Sequence, residues 1–266
     1  MGYDVHCAAP PDSTIEQVQS LGATVHPIPL SRSGINPFTE IKSLLALLTL
    51  LRHVRPNIVF TYTIKPNSYV PIIARILSSP CISIVTGLGY SFISQTTKAI
   101  FSRYIFTTGL SLSTQIWVYN PNDQSDLIAF KKSITQKTSL IPGSGINISE
   151  FSVTNKKTPT EHPTLSFLMI ARLLIDKGVR EYMRAAEILK QQYPDIQCHL
   201  LGALDPGNPA AITQKELDQA IQSGTIHYHP ETKDVRPFIA NSDCIVLPSY
   251  REGIPKVLLE AGAMGK

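Results

Sequence analysis

The chain has 266 residues, 43% hydrophobic and 17% charged, with 15 glycines and 20 prolines that follow no period. This composition excludes a disordered chain, a collagen-like repeat and a solenoid, and the length suits two domains. The net charge of +4 is uneven: residues 1–150 carry 11 Lys/Arg against 7 Asp/Glu, whereas residues 151–266 carry 13 of each.

Short β-type runs alternate with helical patterns. Residues 4–9 read as a strand, and 13–21 as a helix opened by Ser13 with Glu16 three residues on, the pattern of a capping box. A strand follows at 24–28. Residues 37–54 are helical, with Leu44, Leu45, Leu47, Leu48 and Leu51 on a broad face. Then come a strand at 57–62, a helix at 68–77, and a buried strand at 81–86 that runs into Gly87-Leu88-Gly89. Further short strands read at 115–119 and 139–141. The polar stretch NKKTPTEHP, 155–163, is the best linker in the chain.

The pattern then restarts with a strand at 164–170. Residues 179–193 form a helix with Val179, Tyr182, Met183, Ala186, Leu189 and Tyr193 near helical spacing. Strands follow at 197–201, 225–228 and 243–248. This alternation predicts an α/β protein of two doubly wound, Rossmann-like domains, 1–154 and 155–266. The first strand starts almost at Met1, and Gly265 reads as a helix C-cap that leads to another strand. Both domains are therefore expected to be incomplete at the termini.

Between residues 27 and 110, Arg32, Lys42, Arg52, Arg55, Lys65, Arg75, Lys98 and Arg103 stand against Glu40 alone. Such a field attracts phosphate-bearing substrates or acidic lipid head groups; a plain solvated face is the alternative. No basic cluster interleaves with aromatics, so nucleic acid is not an expected partner. Cys7, Cys81, Cys198 and Cys244 lack metal spacing and read as small buried residues of a reducing compartment. The first residues do not resemble a signal peptide, and the longest apolar run, 44–51, is too short to span a bilayer. His227 and His229 share one face of a strand, but a zinc site needs further ligands. There is no GxSxG elbow. Trp117 reads as core.

Three stretches can carry chemistry. ARLLIDKG, 171–178, follows a strand and precedes a helix, where open α/β sheets bind ligands. Arg172 offers a planar fork and Lys177 a point charge beside a helix N-terminus, a combination that suits a diphosphate. The alternative is two solvated basic residues in a loop. In PSYREGIPKVLLE, 248–260, Glu252 sits in a loop after a strand and Pro255 suits the first turn of a helix that carries Glu260. Two such carboxylates can hold the hydroxyls of a sugar and a ribose. The alternative is an acid placed favourably near a helix N-terminus and an ordinary exposed glutamate. Gly143 and Gly145 flank Ser144 and free the backbone to approach a ligand, or simply form a turn. Gly87 and Gly89 carry the same two readings.

Five motifs carry a resemblance: IKPN (64–67), TGLGY (86–90), IPGSGI (141–146), ARLLIDKGV (171–179) and LPSYREGIPKVLLEAGAMGK (247–266). With them the chain resembles the retaining glycosyltransferases of family 4, which have the GT-B fold, two Rossmann-like domains facing a cleft. IKPN and TGLGY look like the branch that adds hexoses or N-acetylhexosamines to lipid-linked sugars in bacterial surface polysaccharide or glycan assembly. The resemblance implies that Arg172 and Lys177 grip the donor diphosphate, Glu252 the donor sugar and Glu260 the ribose. It implies backbone N–H groups offered by Gly253 and Ile254, and a cleft lined by Gly143 and Gly145. Arg172, Lys177 and Glu252 would form the catalytic set, with Lys65, Thr86 and Gly87 on the acceptor side.

The donor would be a UDP-sugar and the acceptor a lipid-linked glycan. No cofactor or metal is implied, and the location would be cytoplasmic, at the inner face of the membrane. The family's first strand with its Gly-rich loop, and its last βα units, have no counterpart in this sequence. Two alternatives remain: a UDP-N-acetylglucosamine 2-epimerase, against which the Glu-x7-Glu pattern beside a Lys-Gly loop argues, and a truncated, non-catalytic nucleotide-binding fragment.

Overall fold

A computed structural model describes residues 2–30, 37–89, 92, 96–152, 164–208 and 210–266. The chain divides into two units, Met1–Ile141 and Pro142–Lys266. The division falls ahead of the 154/155 boundary read from the sequence. Phe151 accounts for this, because it packs into the apolar cluster of the second unit. The expected linker, 155–163, lies outside the described residues.

Unit 1 runs β1 (His6–Ala9), α1 (Ile15–Ser20), β2 (Thr24–Pro27), α2 (Pro37–Val54), β3 (Val59–Tyr62), α3 (Ile64–Ile76), β4 (Cys81–Val85), α4 (Thr97–Leu112), β5 (Gln115–Val118), α5 (Pro121–Phe130) and β6 (Thr138–Leu140). Strands β3-β4-β5-β6 form one parallel sheet, and β1 and β2 a separate parallel pair. Every residue of β4 is buried, as a central parallel strand covered on both faces requires. Phe106 and Leu110 of α4 pack with Ile116, Val118 and Leu127 in one cluster, and Leu47, Leu51, Val70 and Ile73 in another.

Several expectations are corrected here. Leu45 is exposed, so the inward stripe of α2 is narrower than its five leucines suggest. The Ser13–Glu16 capping box does not form; Asp12 Oδ1 instead accepts from the Thr14 N–H at 2.8 Å and its hydroxyl at 2.6 Å. Short polar side chains compete for such backbone groups. Helix α3 begins four residues earlier than read, taking IKPN into its first turn, where Pro66 needs no N–H partner. Cys7 is half-buried and Cys244 exposed, while Cys81 and Cys198 are buried. Trp117 is half-buried, and its indole N–H donates to Gln115.

Unit 2 runs β7 (Ser166–Ile170), a 3-10 turn (Ile175–Lys177), α6 (Val179–Gln192), β8 (Gln197–Leu201), α7 (Gln214–Gln222), β9 (His227–His229), α8 (Arg236–Asn241), β10 (Cys244–Ile245) and α9 (Lys256–Ala263). The sheet order is β10-β7-β8-β9, all parallel. Successive residues of β7 enter opposite cores: Met169 joins Val179, Tyr182 and Leu200, while Leu168 joins Leu201, Ile239, Ala261 and Met264. Strand β10 is only two residues long, shorter than the 243–248 run suggests, and the chain turns into a loop beyond it.

Candidate functional site

Strand β10 pairs alongside β7 in parallel, so the loops leaving their C-terminal ends run side by side. The two loops are stitched together. The Tyr250 N–H donates to the Asp176 carbonyl at 3.0 Å, and the Tyr250 hydroxyl to Glu181 Oε1 at 2.6 Å. Gly178 opens α6 in the left-handed region (φ +75°), and a side chain there would collide with the Pro248 carbonyl. Only glycine permits that approach. Across the junction, Lys177 Nζ donates to Glu252 Oε1 at 2.6 Å. Both side chains are mostly sheltered, at 22% and 24% exposure. The N-terminus of α6 adds partial positive charge beside this pair.

Arg172 is placed differently. It is exposed, and its side chain makes no hydrogen bond or ion pair among the described residues. Its loop is fixed by Gly202 at the end of β8, which passes so close to the Ala171 carbonyl that no side chain fits. Sequence reading missed Gly202; its position just past a strand end was the available signal.

Glu260 lies on α9, and burial holds its carboxyl above the usual carboxylate range, with Lys256 partly offsetting this. It lines a pocket of about 450 Å³ together with Glu150, Phe151, Lys233, Asp234, Val235 and Arg236. Glu252 is not part of that lining. Arg236 is gripped by Asp234 through Nε at 2.7 Å and Nη2 at 2.9 Å. Gly143 and Gly145 both adopt left-handed backbones (φ +82° and +63°), and Ile254 fills the space where a Gly143 side chain would stand. Gly253 is half-buried.

In unit 1, Lys65 donates to the buried Glu40 at 2.6 Å, so its charge is matched. The Tyr69 phenol is pushed up to about 12 by burial and by its hydrogen bond to Glu40. Thr86 is exposed and Gly87 half-buried at the end of β4. Asn67, from IKPN, is fully buried; it accepts from the Thr61 hydroxyl and donates to the Ile84 carbonyl at 2.9 Å. It pins α3 to β4. Thr63, between β3 and α3, has φ +70° and ψ 170°, a region nearly reserved for glycine. Sequence reading missed it.

His229 Nε2 meets His199 Nδ1 at 3.0 Å, beside His227, and burial holds the His229 imidazole below its ordinary range. Among the described residues no group of three or more His, Cys, Asp or Glu is arranged to hold a metal ion. Among the same residues no helix is long and apolar enough to cross a membrane.

The two halves match two family models: residues 1–120 the one described as "Glycosyl transferase 4-like", and residues 152–266 the one described as "Glycosyl transferases group 1". The chain is 28% identical to the N,N'-diacetylbacillosaminyl-diphospho-undecaprenol alpha-1,3-N-acetylgalactosaminyltransferase of Campylobacter jejuni, over 99% of this chain and 71% of that protein. It is 24% identical to the UDP-Gal:alpha-D-GlcNAc-diphosphoundecaprenol alpha-1,3-galactosyltransferase of Escherichia coli, over 90% of this chain and 63% of that protein. Among solved structures, Anabaena HepE in complex with UDP superposes with a TM-score of 0.73 at 14% identity, covering 98% of this chain and 71% of that one.

Proposed function

The chain belongs to the 4-like and group 1 glycosyltransferases and has their GT-B fold, and we propose that it moves a hexose or N-acetylhexosamine from a UDP-sugar to a lipid-linked glycan acceptor in surface polysaccharide or glycan biosynthesis. The observation that carries this reading is the 2.6 Å meeting of Lys177 and Glu252 at adjacent strand ends, a cation for phosphate beside a carboxylate for sugar hydroxyls. Two named relatives act on diphospho-undecaprenol-linked sugars, which supports a lipid-linked acceptor.

In this reading Arg172, Lys177 and the α6 N-terminus stabilise the negative charge that builds on the leaving phosphate, the dominant contribution in such transfers. Glu252 orients the donor sugar and Glu260 binds the ribose. The backbones of Gly253, Ile254, Gly143 and Gly145 approach the donor. The acceptor hydroxyl attacks on the face the leaving group departs from, which retains configuration without a protein nucleophile. No metal ion is needed, because the cations and the helix terminus supply the charge. Lys65, Thr86 and Gly87 serve the acceptor.

Membrane approach falls to α2. Phe38, Ile41 and Leu45 stand exposed at helical spacing, with Lys42 and Arg52 exposed on the same helix. An apolar stripe flanked by cations suits the anionic inner face of a membrane.

The test is UDP release and glycan lengthening when the chain is given UDP-hexoses or UDP-N-acetylhexosamines and a lipid-diphosphate sugar. Release should persist in EDTA, and Arg172→Ala should slow it roughly 100-fold, the scale of losing one transition-state charge contact. No release with any such donor, or normal turnover by the Arg172 variant, refutes the reading.

A further inference from the structure

The pocket beside Glu260 contains more than a ribose needs. Its charged lining is three carboxylates, Glu150, Asp234 and Glu260, against two cations, Lys233 and Arg236. Asp234 and Arg236 neutralise each other through two hydrogen bonds, and Glu150 is engaged by Asn147 at 2.8 Å. Three carboxylates against two cations leave the lining negative on balance, which disfavours a phosphate there. The ligand that suits it is polar and uncharged. Two groups make no hydrogen bond or ion pair among the described residues: the Glu260 carboxylate, which only accepts, and the Lys233 ammonium, which only donates. Phe151 and Val235 supply apolar wall. A nucleoside fits that set, with its diol on Glu260 and its ring against the apolar side, and the pocket's volume of about 450 Å³ accommodates one.

We propose that Lys233 selects the base of the nucleotide donor by donating to the oxygen at the 4-position of the ring, favouring uracil over cytosine; the 2-oxo group, common to both bases, would not tell them apart. The selection follows from the chemistry of an ammonium. It can complete a hydrogen bond with the 4-oxo group of uracil, but it meets the 4-amino group of cytosine donor to donor. The inference rests on the donor reading above and adds to it the residue that reads the base.

The experiment is calorimetric titration of UDP and of CDP into the full chain and into Lys233→Met and Lys233→Arg variants. Lys233 is exposed, so its replacement leaves the fold intact. The parent should bind UDP roughly tenfold more tightly than CDP, the scale of one hydrogen bond to a charged group. Lys233→Met should lose that ratio by weakening UDP alone, and Lys233→Arg, still a donor, should keep it. UDP binding with an unchanged UDP-to-CDP ratio in Lys233→Met overturns the role of Lys233 and leaves the donor site standing. Absence of UDP binding to the parent overturns the donor site, and this inference with it.

Discussion

Glu252→Gln should tighten the binding of UDP while slowing sugar transfer. The reasoning begins with the ion pair. Lys177 and Glu252 are 2.6 Å apart, with 22% and 24% of their side chains exposed. Coulomb attraction at that separation is about 6 kcal/mol at an effective dielectric of 20. Desolvation of both ions and loss of side-chain freedom offset most of it, leaving on the order of 1–2 kcal/mol net. A diphosphate that recruits Lys177 must first displace Glu252 and forfeit that net amount. Removing the carboxylate's charge removes the competitor, and 1.4 kcal/mol corresponds to about tenfold in affinity.

Transfer moves the other way. If Glu252 holds the donor sugar as proposed, the glutamine no longer gives it a charged acceptor, a loss of about 1.5–3 kcal/mol and so roughly 10- to 100-fold in rate. Titration of UDP and measured UDP release from a UDP-sugar read the two effects separately. Unchanged or weaker UDP binding by Glu252→Gln would show that Glu252 does not compete with the diphosphate for Lys177.

Two further outcomes concern stability. Gly178→Ala forces a side chain into a left-handed backbone and against the Pro248 carbonyl, so it should cost about 3 kcal/mol or more and lower Tm by roughly 5–10 °C; a Tm within about 1 °C of the parent would refute the packing argument. Arg180, then the Thr213 cap, hold the Glu216 carboxyl down at about 2, below its ordinary 4.5, so its contribution is present above pH 4.5 and is lost as pH falls toward 2. Glu216→Gln should lower stability at neutral pH by about 1 kcal/mol and flatten the acid limb of a urea-unfolding series, whereas an unaltered limb would contradict this.

The strands and the chemistry-bearing loops were legible because each lies within one run of sequence. The bounds of α2 and the order strand–ARLLIDKG–helix follow directly from apolar spacing, whereas the left-handed backbone at Gly178 emerged only in the structure. The Lys177–Glu252 pair was not legible as a contact. Its partners are 75 positions apart, and they meet only because β10 adds beside β7, an order no local pattern encodes. The Glu260 pocket escaped for the same reason, since it joins residues 150–151, the turn after β9 and α9.

The unread helices have separate causes. In α4 the run TKAIFSRYIFTTGLSL is diluted by Thr, Ser and Gly, which are poor helix formers. Its stability comes instead from α3, on whose Asn67 and Ser68 carbonyls Gly109 rests with no room for a side chain. For α7 the signal was present. Thr213 and Glu216 form a full capping box, with Thr213 Oγ1 accepting from the Glu216 N–H and Glu216 Oε2 accepting from the Thr213 N–H.

The self-paired state of the proposed donor site also bears on turnover. Under the donor reading, a ligand that brings only a diphosphate gains Lys177 at the expense of the Lys177–Glu252 ion pair. A ligand that brings a diphosphate and sugar hydroxyls satisfies both groups at once. The pair thus discriminates the whole donor from its spent nucleotide by about the net strength of the ion pair, on the order of 1–2 kcal/mol, or roughly 5- to 30-fold. On the same reading, once the sugar has left, Glu252 returns to Lys177 and speeds the departure of the nucleotide. A bare cation at position 177 would instead hold the product most strongly when it should be released.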